Sequence, residues 1–273
     1  MPVIRRSSDF PAADPAKATT TALLDRQATN SDHCEVDRVW LPAGAAQSLA
    51  TGANELLWFL VLAGKGSLNG QPVDAASVVF ALPGTPLAVS AGEPLDLLLT
   101  RVPRADRFDP ALAARGGGVK IIDWKREPVL QSEHDARTRI YMATPSLVGT
   151  PAIKAEMIVY PPGTAAPQHH HEGAEHFQYI VSGRGTAVLD GKHRPLSKGD
   201  ILYNYDHEPH YFFTDPDAKE NLVFVEFFIP GSCKTVWIED ANVCAWLPTG
   251  KDIQGKAPVR DIAYHVHGDD KGI

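Results

Sequence analysis

The chain has 273 residues, 44% hydrophobic and 22% charged, with a net charge of -7 from 26 basic and 33 acidic residues. That length allows about two domains, and without a basic surplus nucleic acid is excluded as an expected partner. No apolar run is long enough to span a bilayer and no secretory apolar stretch follows Arg5 and Arg6, while three scattered cysteines (Cys34, Cys233, Cys244) form neither a CxxC pair nor an even disulfide framework, so a reducing cytoplasm is the expected location.

In chain order, a weak helical pattern covers residues 15–26. Short β-branched, aromatic and aliphatic runs follow at 58–62, 78–82 and 95–100. A second weak helical pattern lies at 109–115, and Gly116, Gly117 and Gly118 read as a linker. Strand-like runs resume at 153–160, 177–181, 201–205 and 222–228. Turn signals punctuate them: Asn69-Gly70, Pro83-Gly84, Asp190-Gly191, Gly199-Asp200 and Asp215-Pro216. The text after Pro230 is irregular and is expected to pack across the second half or a neighbouring subunit. The pattern predicts an all-β sandwich or barrel with few short helices. Its divisions are an N-terminal domain over 1–110, a linker and leading strand over 111–150, and a C-terminal domain over 151–273.

The halves repeat. One offset of 119 residues carries Gly44 to Gly163, Gly64 to Gly183 and Gly66 to Gly185. Glycine is the residue that turns with positive φ demand, so three in one register mark one fold used twice.

Histidines cluster in the second copy only. His169, His170 and His171 precede Glu172, Glu175 and His176, and His207 and His210 follow downstream. On a strand, His169 and His171 share a face and His170 takes the other. Two same-face imidazoles form one edge of a transition-metal site, which a ligand from the following strand and one from a distant strand would close. His170 and Glu172 are expected to be exposed or behind the ligands, and His207 to be a structural loop residue. His265 and His267, alone in the tail, are expected at the surface.

These residues resemble the cupins, and with the repeat the chain resembles a bicupin: two tandem double-stranded β-helix, or jelly-roll, barrels. The first cupin motif reads G-x5-H-x-H-x3/4-E-x6-G, and Gly163, His169 and His171 match its opening. The second reads G-x5-P-x-G-x2-H-x3-N. Gly199 and His210 match it, with Tyr205, His207 and Thr214 at its proline, glycine and asparagine positions. Counting back from Gly183 puts His176 at the glutamate position. Counting forward from His171 by the shorter spacing puts Glu175 there. The resemblance therefore implies a metal held by His169, His171, His176 and His210, with Glu175 as the alternative to His176. Under the offset, His169, His171 and His176 map to Ala50, Gly52 and Leu57, while by the text of the turn, rather than by the offset, Glu208-Pro209-His210 corresponds to Thr85-Pro86-Leu87. The first barrel is thus expected to lack metal and to serve structure.

The resemblance implies one divalent transition metal in the C-terminal barrel, with iron first and manganese, nickel or zinc as alternatives. Glu156, Gln178 and Tyr203 are the expected catalytic residues, and Tyr205 and Glu226 also fall where they could face inward. The implied function is a metal-dependent enzyme on a small chelating substrate, with a non-haem iron dioxygenase preferred. The alternatives are a redox-neutral manganese bicupin of the ureidoglycine aminohydrolase type, whose E-x-H-x3-H text is not matched here, and a non-enzymatic small-molecule-binding cupin. The expected partners are that small molecule and further copies of the chain in a dimer or larger homo-oligomer, without membrane.

Overall fold

The structure is a computed structural model describing residues 2–238, 243–268 and 273. Nearly all of its regular structure is antiparallel strand. Among the described residues the two α-helices, Arg26–Thr29 and Pro145–Val148, have four residues each. No helix among the described residues is long and apolar enough to cross a membrane.

The chain divides into two units, Ser8–Trp124 and Met1–Ser7 with Lys125–Ile273. The unit Ser8–Trp124 packs a six-stranded sheet with a four-stranded one. In the larger sheet, Leu56–Ala63 lies between Ser77–Ala81 and Leu95–Val102. Its interior is apolar: Leu57, Phe59, Leu87, Val89 and Leu99 belong to one buried cluster.

In the second unit, a nine-stranded sheet faces a five-stranded one. The larger has Glu175–Ser182 between Ile201–Asn204 and Leu222–Ile229, with Lys154–Tyr160 beyond. The smaller carries His169–Glu172 between His210–Phe213 and Lys234–Trp237. A buried apolar cluster including Ile158, Ile180, Ala187, Phe212 and Phe224 fills one part of this unit. The remaining interior is polar, and the difference can be read row by row. His176 pairs with Asn204 where Leu57 pairs with Ala81, and Gln178 pairs with Glu226 where Phe59 pairs with Leu99.

Several expectations are corrected. Residues 15–26 form the strand Thr19–Leu24 rather than a helix, because three successive threonines favour an extended backbone. The helix starts after Asp25, whose carboxylate accepts from the Ala28 N–H at 2.7 Å. Residues 109–115 yield only the 3-10 turn Leu112–Ala114. Divisions at 110 and 150 do not match the units. Val119–Asp123 pairs with Ser77–Ala81, closing the first unit, while Leu130–Ser132 and Thr138–Ala143 are strands of the second. Val3–Arg5 also joins the second unit, pairing with Ile201–Asn204. Asp200 holds that strand's end, accepting from Ser7 N at 2.8 Å and pairing with Arg6 at 3.0 Å. The text after Pro230 is not a loose appendage: Lys234–Trp237, Ala245–Pro248 and His265–Val266 are strands of the second unit's own sheets.

Two of the three repeat glycine pairs, Gly64 with Gly183 and Gly66 with Gly185, have a steric cause. A Cβ on Gly64 would lie 1.8 Å from the Pro94 carbonyl oxygen, and one on Gly183 would lie 2.0 Å from that of Asn221. Gly183 also has φ +78°, as Gly191 has +68°, but nothing lies within 4 Å of a Cβ on Gly191. Gly191→Ala is therefore expected to cost about 1 kcal/mol of left-handed strain, and Gly183→Ala clearly more, through backbone collision. Thermal melting of both variants checks this; equal melting temperatures would remove the steric account.

Candidate metal centre

His169 and His210 are direct cross-strand partners, so their imidazoles leave the smaller sheet on one face, and alternation places His171 beside His169. From the larger sheet, His176 points to meet them. The ring centroids of His169 and His210 are 4.6 Å apart, those of His171 and His176 4.9 Å, and those of His176 and His210 4.8 Å. All four residues are buried.

Backbone carbonyls set the tautomers. His169 Nδ1 donates to the Pro167 carbonyl at 2.9 Å, and His210 Nδ1 to that of Glu208 at 2.9 Å. A carbonyl only accepts, so these Nδ1 atoms carry the proton and each Nε2 keeps its lone pair. For His171, Thr235 Oγ1 lies 3.2 Å from Nδ1, while the buried Nε2 has no hydrogen-bond partner. His176 Nε2 lies 3.3 Å from His210 Nε2 and 3.7 Å from Glu226 Oε1. Ligand atoms of His171, His176, His210 and Glu226 all lie within 4.8 Å of one another, as do those of His169, His171 and His267. Converging lone pairs, an orphaned buried Nε2 and a nearby carboxylate suit a divalent metal ion.

The protonation states agree with ligand chemistry. Burial and neighbouring imidazoles hold His169, His171 and His176 well below the usual histidine range. Burial pushes His210 down to about 4. All are neutral near pH 7, the form that ligates. Glu226 goes the other way, pushed up to about 8 by burial and by the Glu156 carboxylate.

Around the imidazoles runs a buried polar network. Asn204 Nδ2 donates to Gln178 Oε1 at 2.8 Å, and Gln178 Nε2 to Glu226 Oε1 at 2.6 Å. Glu156 is the cross-strand partner of Glu226 and pairs with Arg139 at 3.2 Å. A cavity of about 20 Å³ lies against His169, His210, His267, Glu226, Arg137 and Arg139, room for about one water.

Of the expected site residues, His169, His171, His176 and His210 come together, with Glu226 beside them. Glu156 and Gln178 line the same interior. Glu175 does not: alternation sends it to the opposite face from His176, where it accepts from the Tyr203 hydroxyl. Tyr203 is on that face too, because its cross-strand partner is Phe177, so it does not reach the imidazoles through its own strand face. His207 is an exposed loop residue with φ +64°, a left-handed conformation at the position where the motif has glycine. His265 and His267 are not at the surface but buried. Isolation in the sequence hid them: the cue was their H-x-H spacing, which puts two imidazoles on one face of a strand. Arg137 and Arg139 had no motif to mark them. Their signal was a spacing of two, which puts both guanidinium groups on one face at the start of the strand Thr138–Ala143.

Residues 156–226 match the family of the Cupin domain. Over 88 residues the chain is 32% identical to the HTH-type transcriptional activator RhaS of Yersinia pestis (strain Pestoides F) and to that of Yersinia pseudotuberculosis serotype O:1b (strain IP 31758), covering 28% of this chain. The match spans 32% of those relatives' own length. Among solved structures, a deletion mutant of Bacillus subtilis oxalate decarboxylase OxdC superposes with a TM-score of 0.67 at 16% identity, over 86% of this chain and 79% of that one. A structure of that enzyme concerned with its Mn(II) centres gives 0.66 at 15% identity, with the same coverage of 86% and 79%. At such identity the likeness establishes the fold: two cupin barrels in tandem.

His171→Ala is expected to remove most bound metal and Glu175→Ala to leave it, as read by elemental analysis of metal-loaded protein. Equal metal in both variants would sink the assignment. The metal-free chain is also expected to melt at lower temperature at pH 5 than at pH 7. His169, His171, His176 and His210 titrate at about 6.5 when unfolded and lower when folded, so their contribution is full above that pH. It drains away as pH falls below about 6.5, through about 4 for His210. Glu226, raised from 4.5 to about 8, opposes this as one carboxyl against several imidazoles. A melting temperature that rises or stays level on acidification contradicts neutral buried imidazoles.

Proposed function

We propose that this two-barrel cupin is a metal-dependent enzyme acting on a small chelating organic acid in its C-terminal barrel, and that the reaction is a dioxygenation at non-haem iron. The observation that carries the reading is the buried group of His171, His176 and His210 with Glu226, whose ligand atoms all lie within 4.8 Å of one another, His210 being oriented by the Glu208 carbonyl. His171, His176 and His210 would hold the ion, with Glu226 beside it and His169 as a further donor. Bound there, a divalent ion would supply Lewis acidity and a template for a chelating substrate beside O2.

The chain's own groups do the remaining work. Arg137 and Arg139 reach the same cavity as His169 and His210 and offer planar guanidinium forks to a carboxylate. Arg137 is held by Asp135 at 2.6 Å and Arg139 by Glu156, so both forks are positioned before substrate arrives. Gln178 orients the Glu226 carboxyl, which can take or return a proton beside the reacting centre. Apolar walls from Phe212, Phe224 and Trp246 keep bulk water out.

A second reading is favoured by one observation. In the metal-free chain Glu226, pushed up to about 8 by burial and the Glu156 carboxylate, keeps a proton at neutral pH. Such a group suits redox-neutral chemistry with manganese, in which a proton is delivered and no oxidant is consumed. Manganese is also the metal named for the oxalate decarboxylase that shares this fold.

Chelator-stripped protein, reloaded without oxygen with Fe(II) or Mn(II) and offered small hydroxy- and dicarboxylic acids, separates the readings. The expected result is O2 uptake matching substrate loss with Fe(II) alone. Turnover with Mn(II) in the absence of O2 would replace the dioxygenase by the redox-neutral enzyme. Binding of these acids without turnover under either metal would leave a small-molecule-binding cupin.

A further inference from the structure

His267 sits far along the chain from the other imidazoles yet ends among them. Its ring centroid is 5.5 Å from that of His171 and 5.8 Å from that of His169, and its ligand atom joins theirs within 4.8 Å. The residue is 7% exposed, and its buried Nδ1 has no hydrogen-bond partner. An orphaned buried donor or acceptor of this kind is destabilising, and a bound cation would relieve it.

The backbone that carries His267 is fitted to the spot. His267 N donates to the Cys244 carbonyl at 2.9 Å, and the strand His265–Val266 pairs with Ala245–Pro248. His265 Nε2 lies 2.7 Å from the Tyr141 hydroxyl. Next in the chain, Gly268 has φ +92°, and a Cβ there would lie 2.7 Å from Thr235 Oγ1, the group that contacts His171 Nδ1. The same stretch of chain supplies Cys244, Trp246 and His267 to the cavity wall. A cavity of about 20 Å³ holds about one water, so a larger ligand has to displace some of its lining.

We infer that His267 is a metal ligand together with His169 and His171, a donor set that shares His171 with the group of His176, His210 and Glu226, so that metal binding fastens the C-terminal strand His265–Val266 across the cavity. The inference rests on the metal reading proposed above. It makes the C-terminal strand part of the centre: ion binding and closure of that wall become one equilibrium, each strengthening the other by the same factor.

The test uses the full chain, stripped by chelator and titrated with Zn(II), with hydrogen exchange followed by mass spectrometry. In wild type, Zn(II) is expected to slow exchange of residues 264–268 at least tenfold. In His267→Ala, Zn(II) should bind on the order of ten- to a hundredfold more weakly and leave exchange at 264–268 as fast as in the stripped protein. His267→Gln, which keeps the volume and a polar head, should behave like His267→Ala. The inference is overturned if Zn(II) binds wild type, depends on His171, and leaves residues 264–268 unprotected, or protects them equally in the His267 variants. Failure of wild type to bind Zn(II) at all would overturn the metal reading as well, a result distinct from the first. Should His267→Ala fail to fold, the wild-type comparison with and without Zn(II) still decides.

Discussion

Strand Glu175–Ser182 is paired on both sides, with Ile201–Asn204 and Leu222–Ile229, and this pairing dictates what faces the barrel interior. A strand alternates every residue, so one register sends His176 and Gln178 inward together and Glu175 outward with Phe177. A slip of one residue would exchange the two sets, placing a carboxylate among the imidazoles and a histidine against Tyr203. Phe177 and Phe227 stack at 5.3 Å between centroids on the other face, an apolar contact that such a slip would break. The donor set of the centre is thus decided by the hydrophobic demand of the opposite face.

The polar interior is costly. Lys154, Arg139, Glu156 and Glu226 are ionisable and buried in the same unit as the imidazoles. Burying charge is tolerated where each group has a partner, and here the partners form rows: Arg139 with Glu156, Glu226 with Gln178, Gln178 with Asn204. The Lys154 ammonium lies 4.7 Å from the Phe228 ring centroid, and Phe228 stacks on His176 at 4.9 Å. The other barrel avoids this cost, with Leu57, Phe59 and Leu99 in the corresponding rows. One fold thus serves once as a packed core and once as a container for charge.

Much of this was legible in the residues. Glycines in one register marked the repeat because backbone collisions leave no room for a side chain at Gly64 or Gly183. The strand text from Leu56 to Ala63 and from Leu222 to Ile229 was equally plain, being apolar and bounded by turns. The histidine pair two apart stood out because alternation is local. What escaped depended on pairing between distant strands. Val3–Arg5 looks like part of an N-terminal arm until Ile201–Asn204 is placed beside it. Glu226 was legible as a residue that could face inward, but its place beside His176 follows only from Gln178 opposite. His267 reaches the cluster only because Ala245–Pro248 brings its strand back. Local periodicity carries no information about such partners.

The pairing of Val3–Arg5 with Ile201–Asn204 bears on how the chain is made. Ribosomes emit residues in order, at about 5–20 per second. Unit Ser8–Trp124 can complete both its sheets as soon as it emerges, since its closing strand Val119–Asp123 comes last. The segment ahead of it must wait, unpaired, until Ile201 to Asn204 have been added. Its exposed N–H and C=O groups are then an open edge during synthesis. Arg5 and Arg6 place positive charge at that edge, a feature that discourages two nascent chains from pairing through it.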